Sequence, residues 1–199
     1  MKEFVIATNN KKKLTEIQRI LAPLGIVPVT AAEKGIDLGD VVEDGATFAE
    51  NAYIKAKAAF DKCGLPVIAD DSGLCVDALD GRPGIYSARY GGHDSPYSTK
   101  IQMLLDELKD VPAPERTAHF SCAVCCILKS GEVIAVEGRC EGEIATAPSG
   151  DGGFGYDPVF TVGGRSFATL PSDEKDRLSH RGNALRQLCR ELENRKEEL

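Results

Sequence analysis

The sequence feature that most constrains the fold is a short apolar run that ends abruptly in two carboxylates. Val67, Ile68 and Ala69 fit a buried strand, and Asp70-Asp71-Ser72-Gly73 follows directly. Open α/β sheets commonly place their chemistry at the ends of such strands. We therefore interpret this stretch as a metal site whose backbone is held by the hydrophobic core.

Two local structures are compatible with the acidic pair. Asp-Asp-Ser-Gly is typical of a turn in which short polar side chains bond their own backbone, and these residues alone favour that turn. If the strand instead continues through the pair, its side chains point alternately to opposite faces. Only one of Asp70 and Asp71 could then face a given site.

Length and composition predict a globular chain. The 199 residues are sufficient for a hydrophobic core and favour one domain, or two lobes that share a cleft. The content of 42% hydrophobic and 28% charged residues is ordinary for a soluble protein, and no apolar run approaches a membrane span. The first strand-like run, Phe4–Ala7, is too short for a signal-peptide core. A cytoplasmic location without a membrane partner is therefore expected.

The net charge of −7 disfavours a nucleic acid partner. Broad contact with a nucleic acid backbone requires a basic surface that displaces condensed counterions. A small anionic ligand is still compatible with this charge, because it needs only local cations, backbone amides and a metal ion.

Seven cysteines are scattered along the chain, and we expect reduced thiols that pack as small apolar groups. Cys122 and Cys125 have a C-x-x-C spacing. They lie in a strand-like segment, where residues three apart face opposite sides of the sheet. A metal or redox role for this pair is therefore disfavoured.

The first half of the chain alternates between strand and helix patterns. Strands are predicted at Phe4–Ala7 and Ile26–Val29. The helix between them is predicted from apolar residues at Leu14, Ile17, Leu21 and Leu24. Thr47 and Glu50 form a capping box, with Glu50 reaching back to the cap, before an alanine-rich helix that ends at Gly64.

The second half favours antiparallel strands. After a helix predicted at about Thr99–Leu108, residues 117–128 alternate between apolar and polar. A turn at Ser130-Gly131 then leads to strand-like pieces at Val133–Glu137 and Arg139–Ile144. Together the two halves predict an α/β fold with a mixed sheet.

Three polar segments are candidate ligand sites. The loop Thr8–Lys13 could hold a phosphate on the amides of the first helical turn, although taken alone a solvated basic turn is favoured. The glycine-rich loop Pro148–Pro158 carries two aromatic residues on which a base could stack. His180 and Arg181, at the start of a predicted helix, are candidate donors to an anion or a base carbonyl.

Five pieces of the sequence, in order, carry a resemblance to a known family. They are Ala7–Lys13, Thr47–Ala52, Ala69–Leu74, Gly152–Pro158 and Ser179–Arg181. This combination resembles the inosine triphosphate pyrophosphatase family, the house-cleaning XTP/dITP diphosphatases. The resemblance implies an α/β fold in which a long mixed β-sheet with flanking helices forms two lobes around a central nucleotide cleft. Residues 1–199 would form this single domain.

The resemblance also implies the reaction and the partners. ITP, dITP or XTP would be hydrolysed to the monophosphate and pyrophosphate, with Mg²⁺ as cofactor and Mn²⁺ as a substitute. The protein would be a homodimer with a small nucleotide substrate.

Site residues follow from the same resemblance. Thr8, Asn10 and Lys13 would hold the phosphates, and Ser72 would lie at the substrate. Asp71 would be the general base and, with Glu43, a metal ligand. The base and sugar would be lined by Phe154, Gly155, Tyr156 and Asp157, with Lys175 reaching the base and His180 and Arg181 reading its oxygens.

The chemistry of these residue types agrees with the implied reaction. A carboxylate near Mg²⁺ can orient or deprotonate water, while the metal and the lysines offset charge on the phosphates. Two alternatives stay open: a nucleotide-sensing module that binds without turnover, and a phosphomonoesterase with Asp70 or Asp71 as nucleophile. The second is disfavoured because such phosphatases use an Asp-x-Asp arrangement, whereas these acids are adjacent.

Overall fold

The structure, a computed structural model, describes residues 2–39 and 41–195. These residues form an α/β fold with seven strands and five α-helices. The strands are β1 (Lys2–Ile6), β2 (Ile26–Thr30), β3 (Val67–Val76), β4 (Thr117–Ile127), β5 (Val133–Ile144), β6 (Phe160–Val162) and β7 (Arg165–Ser166). The helices are α1 (Lys11–Leu21), α2 (Phe48–Cys63), α3 (Tyr97–Glu107), α4 (Ser172–Leu178) and α5 (His180–Glu193).

The strands form one mixed sheet in the order β2-β1-β3-β4-β5-β6-β7. β1 pairs in parallel with β2 and with β3, while β6 pairs antiparallel with β5 and with β7. The register places Val5 opposite Val67 and Ile6 opposite Ile68, so the apolar start of β3 lies beside the apolar end of β1. The predicted mixed sheet is confirmed.

Strand β3 continues through the acidic pair. It extends from Val67 to Val76, so the turn that Asp70-Asp71-Ser72-Gly73 alone favours is wrong. Turn propensity is a local preference. Here it is overridden because each acid, in the extended conformation, reaches a cation: Lys13 contacts Asp70 and Lys55 contacts Asp71.

Strand β5 is also longer than predicted. The two pieces at 133–137 and 139–144 form one continuous strand through Gly138. A Cβ atom on Gly138 would overlap the backbone oxygen of His180 and the backbone nitrogen of Ala184. The glycine is therefore required by the close approach of α5 and does not mark a break in the strand.

The ends of α2 agree with the prediction in all but one detail. The Thr47 hydroxyl accepts a hydrogen bond from the amide of Glu50 (3.1 Å). The Glu50 carboxylate accepts from the amide of Ala46 (2.6 Å), one residue before the cap, where the capping box predicts Thr47. The helix ends at Gly64, whose φ of 61° suits glycine.

Helix α1 is shorter than its apolar periodicity predicts. It ends at Leu21, whereas the predicted apolar face extends to Leu24. Pro23 lies just beyond the helix, and proline has no amide hydrogen with which to continue it. α3 and β4 begin and end within two residues of their predicted bounds.

The chain forms two compact units. The first comprises Met1–Asp71, Cys122–Gly138 and His180–Leu199, and the second comprises Ser72–Ser121 and Arg139–Ser179. In the first unit, Ile68 packs in a core with α1 and α5, while Val67 and Ala69 pack in another with α2. Helices on both faces explain why this strand begins as a continuous apolar run.

The second unit has an aromatic core. The ring centre of Phe160 lies 4.6 Å from that of Phe120 and 4.9 Å from that of Phe167. The helix α3 packs against the same cluster through Ile101 and Leu104. The predicted cleft shared by two lobes stays a prediction.

The cysteines behave as predicted for core residues. All seven are free, and five are buried. Cys122 packs with the α1 and α5 core and Cys125 with the α2 core, so they face opposite sides of β4. Burial raises the pKa of the Cys125 thiol to about 11, so this thiol is protonated at neutral pH.

Among residues 2–39 and 41–195, no helix combines the length and the apolar composition that a bilayer crossing requires.

We expect Gly138→Ala to destabilise the protein by about 1–3 kcal/mol, the usual cost of overpacking. The added methyl would meet the backbone of α5, which can move only with its helix. Urea unfolding followed by circular dichroism would measure the loss. Ala135→Ser, on the exposed face of the same strand, is the control and should cost less than about 0.5 kcal/mol. Equal stability of the Gly138→Ala variant and the parent would contradict the close approach.

Candidate active site

Asp70 and Asp71 point to opposite faces of β3. Asp70 contacts Lys13 of α1 and Arg181 of α5, whereas Asp71 contacts Lys55 of α2. This is the alternation expected of a strand that continues through the pair. The two acids therefore have separate electrostatic environments.

Asp70 is the centre of a buried ionic network. Its Oδ2 accepts hydrogen bonds from Lys13 Nζ (3.0 Å) and from Arg181 Nε (3.2 Å) and Nη2 (3.1 Å). Arg181 Nη1 also donates to Glu16 Oε2 (2.5 Å). Burial opposes ionisation of Asp70, but the positive charges of Lys13, Arg181 and Lys55 outweigh it and hold its pKa well below the usual value. Asp70 is therefore a stable anion at neutral pH.

Asp71 shares one lysine with the other predicted metal ligand. Lys55 Nζ lies 3.4 Å from Asp71 Oδ1 and 2.7 Å from Glu43 Oε2. Burial, reinforced by the negative charges of Glu43 and Asp70, raises the pKa of Asp71 against the opposing effect of Lys55 and Lys13. A carboxylate with a raised pKa is a better proton acceptor than an ordinary aspartate.

The carboxylates around Lys55 fit a hard divalent cation. Asp71 Oδ2 is buried and has no hydrogen-bond partner among the residues described. Glu43 brings a second carboxylate to the same ammonium. In the part of the chain that the structure describes, no group of three or more His, Cys, Asp or Glu could hold a metal by itself. Two carboxylates suit Mg²⁺, which is commonly held by one or two of them together with water and phosphate oxygens.

The first loop caps α1 with its own side chains. Asn10 Oδ1 accepts hydrogen bonds from the amides of Lys12 (3.0 Å) and Lys13 (3.2 Å). Thr8 Oγ1 accepts from the amide of Asn10 (3.2 Å). Of the three predicted phosphate ligands, Thr8 and Asn10 therefore lie together at the start of α1, whereas the ammonium of Lys13 is paired with Asp70. A phosphate at this helix N-terminus would compete with Asn10 for two amides.

In the second unit, Phe154, Asp157 and Lys175 are brought together. Lys175 Nζ donates to Asp157 Oδ2 (2.6 Å), which also accepts from the amide of Phe154 (2.8 Å). The same ammonium lies 4.8 Å from the centre of the Phe154 ring. A half-buried ring beside a buried cation suits stacking of a base and hydrogen bonding to its carbonyl.

The other predicted site residues have varied surroundings. Tyr156 is a core residue whose hydroxyl donates to the backbone oxygen of Ser87 (3.0 Å). Gly155 has a φ of 67°, which glycine adopts readily. Ser72 is half-buried in β3, and His180 is buried as the first residue of α5.

Sequence reasoning missed Lys55 and Glu16. Lys55 stands at helical spacing from the buried Ala52 and Ala59, and a lysine on such a small-residue face was the available signal. Glu16 is buried as a partner of Arg181. No local pattern separates it from a surface glutamate, because its partner comes from the other end of the chain.

We expect Asp70→Asn to lower the free energy of unfolding by about 3–5 kcal/mol near neutral pH, because it leaves buried cations uncompensated. The lowered pKa of Asp70 makes this contribution present above the unfolded-state value of about 3.9, and it is lost as the pH falls below that value. The difference between parent and variant should therefore narrow in acid. Urea unfolding across the acid range would measure it.

Asp61→Asn is the matched control for this prediction. Asp61 forms an exposed ion pair with Lys57, so the substitution should cost less than about 1 kcal/mol. A difference between parent and Asp70→Asn that stays constant as the pH falls would contradict the lowered pKa.

The chain is similar in sequence to known proteins over nearly its whole length. The chain matches the Ham1 family over residues 4–191. The dITP/XTP pyrophosphatase of Halalkalibacterium halodurans is 46% identical, with 97% of this chain and 100% of the relative covered. The dITP/XTP pyrophosphatase of Geobacillus kaustophilus is 49% identical, with 97% and 95% covered.

A solved structure extends the agreement to the fold. The Ham1 protein of Coxiella burnetii is 40% identical, has a TM-score of 0.87, and is matched over 98% of this chain and 100% of that chain. The family resemblance predicted from the five sequence pieces is therefore confirmed. The chain belongs to the Ham1 family.

Proposed function

We propose that this chain hydrolyses deaminated purine nucleoside triphosphates, namely ITP, dITP and XTP, to the monophosphate and pyrophosphate. The reaction breaks the anhydride bond between the α- and β-phosphates and adds water across it. It would remove these nucleotides from the cellular pool.

The observation that supports this function best is the pair Glu43 and Asp71 held around Lys55. Anhydride hydrolysis needs an activated water and positive charge near the phosphates, because negative charge accumulates on the leaving oxygens. Relatives that are 44% and 49% identical are named dITP/XTP pyrophosphatase, which supports the same reaction.

In this proposal, Asp71 accepts the proton of the attacking water. Its raised pKa favours that transfer, whereas the cations around Asp70 make Asp70 a poor base. Lys55 keeps Asp71 and Glu43 close together despite their like charges. Mg²⁺, with Mn²⁺ as an alternative, would be held by Asp71 and Glu43 and would supply positive charge to the phosphates.

The remaining residues would bind the substrate. Thr8, Asn10 and Lys13 would bind phosphate oxygens at the start of α1, and Ser72 would contact the substrate beside Asp71. The base and sugar would be bound by Phe154, Gly155, Tyr156, Asp157, Lys175, His180 and Arg181. The contacts that support this are those among Phe154, Lys175 and Asp157.

Discrimination against adenine is expected at the 6-position of the purine. Deaminated bases carry a carbonyl there, which accepts a hydrogen bond from a cation such as Lys175 or Arg181. Adenine carries an amino donor instead, and a buried donor without an acceptor is costly.

A homodimer and a cytoplasmic location also belong to this proposal. Their support is the family resemblance and the sequence composition. Sedimentation equilibrium would test the dimer.

We expect the purified protein with Mg²⁺ to release pyrophosphate from ITP or XTP far faster than from ATP. Asp71→Asn should lower kcat by about 10²–10⁴-fold, the usual contribution of a general base. A coupled pyrophosphate assay over a nucleotide panel would measure both. Release of orthophosphate would overturn the proposed reaction type, and tight binding of ITP without any product would show a sensing module. A trapped phospho-aspartate would show the phosphomonoesterase alternative.

We expect Lys55→Met to lower kcat/KM by about 10²-fold, because the two carboxylates would lose their shared cation and the phosphates a nearby charge. Lys57→Met is the matched control on the same helix. Lys57 is exposed and pairs with Asp61 on the same helix, so kcat/KM should stay within about twofold of the parent. Equal losses in both variants would argue against a specific role for Lys55.

A further inference from the structure

The segment that carries Glu43 is fastened to the first turn of α2 by side chains of that helix. Asn51 Oδ1 accepts a hydrogen bond from the amide of Gly45 (2.9 Å), and Glu50 Oε2 accepts from the amide of Ala46 (2.6 Å). Two successive backbone amides are therefore held by neighbouring helix residues. Gly45 is only two residues from Glu43, so its position restricts where the Glu43 carboxylate can lie.

The contact between Gly45 and Asn51 is close. A Cβ atom added to Gly45 would lie 2.8 Å from Asn51 Oδ1 and 2.7 Å from the Glu50 Cβ atom. Such distances are shorter than side chains tolerate. The backbone at Gly45 thus rests directly on the helix, and only glycine leaves room for the Asn51 amide oxygen.

The burial of the Asn51 side chain does not favour the stability of the fold. The residue is 1% exposed, and its Nδ2 has no hydrogen-bond partner within residues 2–39 and 41–195. A buried donor without an acceptor lowers the stability of the folded protein. The Asn51 side chain does accept a hydrogen bond from Gly45, in the segment that carries Glu43. Because its burial is unfavourable in itself, the reason for an asparagine here is to be sought in that contact.

The same helix also holds the end of the Glu43 side chain. Lys55, one turn after Asn51, donates to Glu43 Oε2 (2.7 Å). Helix α2 thus fixes the backbone near Glu43 through Asn51 and its carboxylate through Lys55. Because Lys55 also contacts Asp71, the separation of the two carboxylates depends on both contacts.

We propose that Asn51 is a positioning residue for the divalent metal: by holding the Gly45 amide, it sets the Glu43 carboxylate at the place where it can share a cation with Asp71. This inference rests on the proposed function, in which Glu43 and Asp71 are the metal ligands. Partners that orient metal ligands commonly change metal affinity by about 10–100-fold when they are removed.

The first test uses Mn²⁺ alone as the probe of the site. We expect Asn51→Ala to weaken Mn²⁺ binding, measured by electron paramagnetic resonance, by about tenfold or more. Amide hydrogen exchange at Gly45 should become faster in the same variant. In turnover assays the Mg²⁺ concentration for half-maximal rate should rise more than the saturated kcat falls.

Two further variants separate positioning from general loss of structure. Ala59→Gly weakens α2 at a buried position remote from the Glu43 segment, and it should leave Mn²⁺ affinity within about twofold of the parent. Asn51→Asp keeps an acceptor for the Gly45 amide, and it should restore slow exchange at Gly45 and Mn²⁺ affinity at least near that of the parent.

A double-variant cycle tests the route through Glu43. In a Glu43→Gln background, Asn51→Ala should cause little further loss of Mn²⁺ affinity, because the carboxylate that it positions is already absent. Independent, additive losses from the two substitutions would overturn the proposal.

The outcomes distinguish this inference from the proposed function. If the parent protein binds no Mn²⁺ and releases no pyrophosphate, the proposed function fails and this inference fails with it. If the parent binds Mn²⁺ and Asn51→Ala binds it equally well despite faster exchange at Gly45, the inference alone is overturned.

Discussion

Two adjacent carboxylates inside one buried strand are electrostatically expensive, and the arrangement of the first unit depends on how that charge is neutralised. Asp70 receives cations from α1 and α5, and Asp71 receives one from α2. Three helices are thus tied to β3 by ion pairs as well as by the apolar core. Because an unpaired buried charge is costly, the pairing also determines which side of each helix faces the strand.

The two acids differ in chemistry because their surroundings differ. Asp70 accepts hydrogen bonds from Lys13 and Arg181 through one oxygen, and these positive charges lower its pKa, so it holds its proton weakly and serves as a counter-ion. Asp71 shares a single lysine with Glu43, so it keeps an affinity for a proton or a metal ion. Neighbouring residues of one type with opposite pKa shifts separate a structural role from a chemical one, as in other paired-carboxylate sites.

Much of the fold could be predicted from local patterns, and the exceptions have one physical cause. α3 and β4 were predictable because apolar periodicity is a property of the segment itself. β3 was not, because the cations that keep Asp70 and Asp71 extended come from distant parts of the chain. The continuity of β5 through Gly138 likewise depends on α5. Lys55 and Glu16 escaped prediction since their charged partners are remote in sequence, and most proposed site residues came from the family resemblance.

Because side chains alternate along β3, the face that each acid occupies depends on whether its position in the strand is odd or even. Inserting or deleting one residue between the apolar start of the strand and Asp70 would turn each following side chain to the other face. The carboxylate that should meet Lys55 would then meet Arg181, although no residue type had changed. Substitutions can weaken individual ion pairs of Asp70 and Asp71, but a change of length by one residue would exchange the cations that the two acids contact. The position of each acid along the strand therefore determines which face it occupies and which cations it contacts.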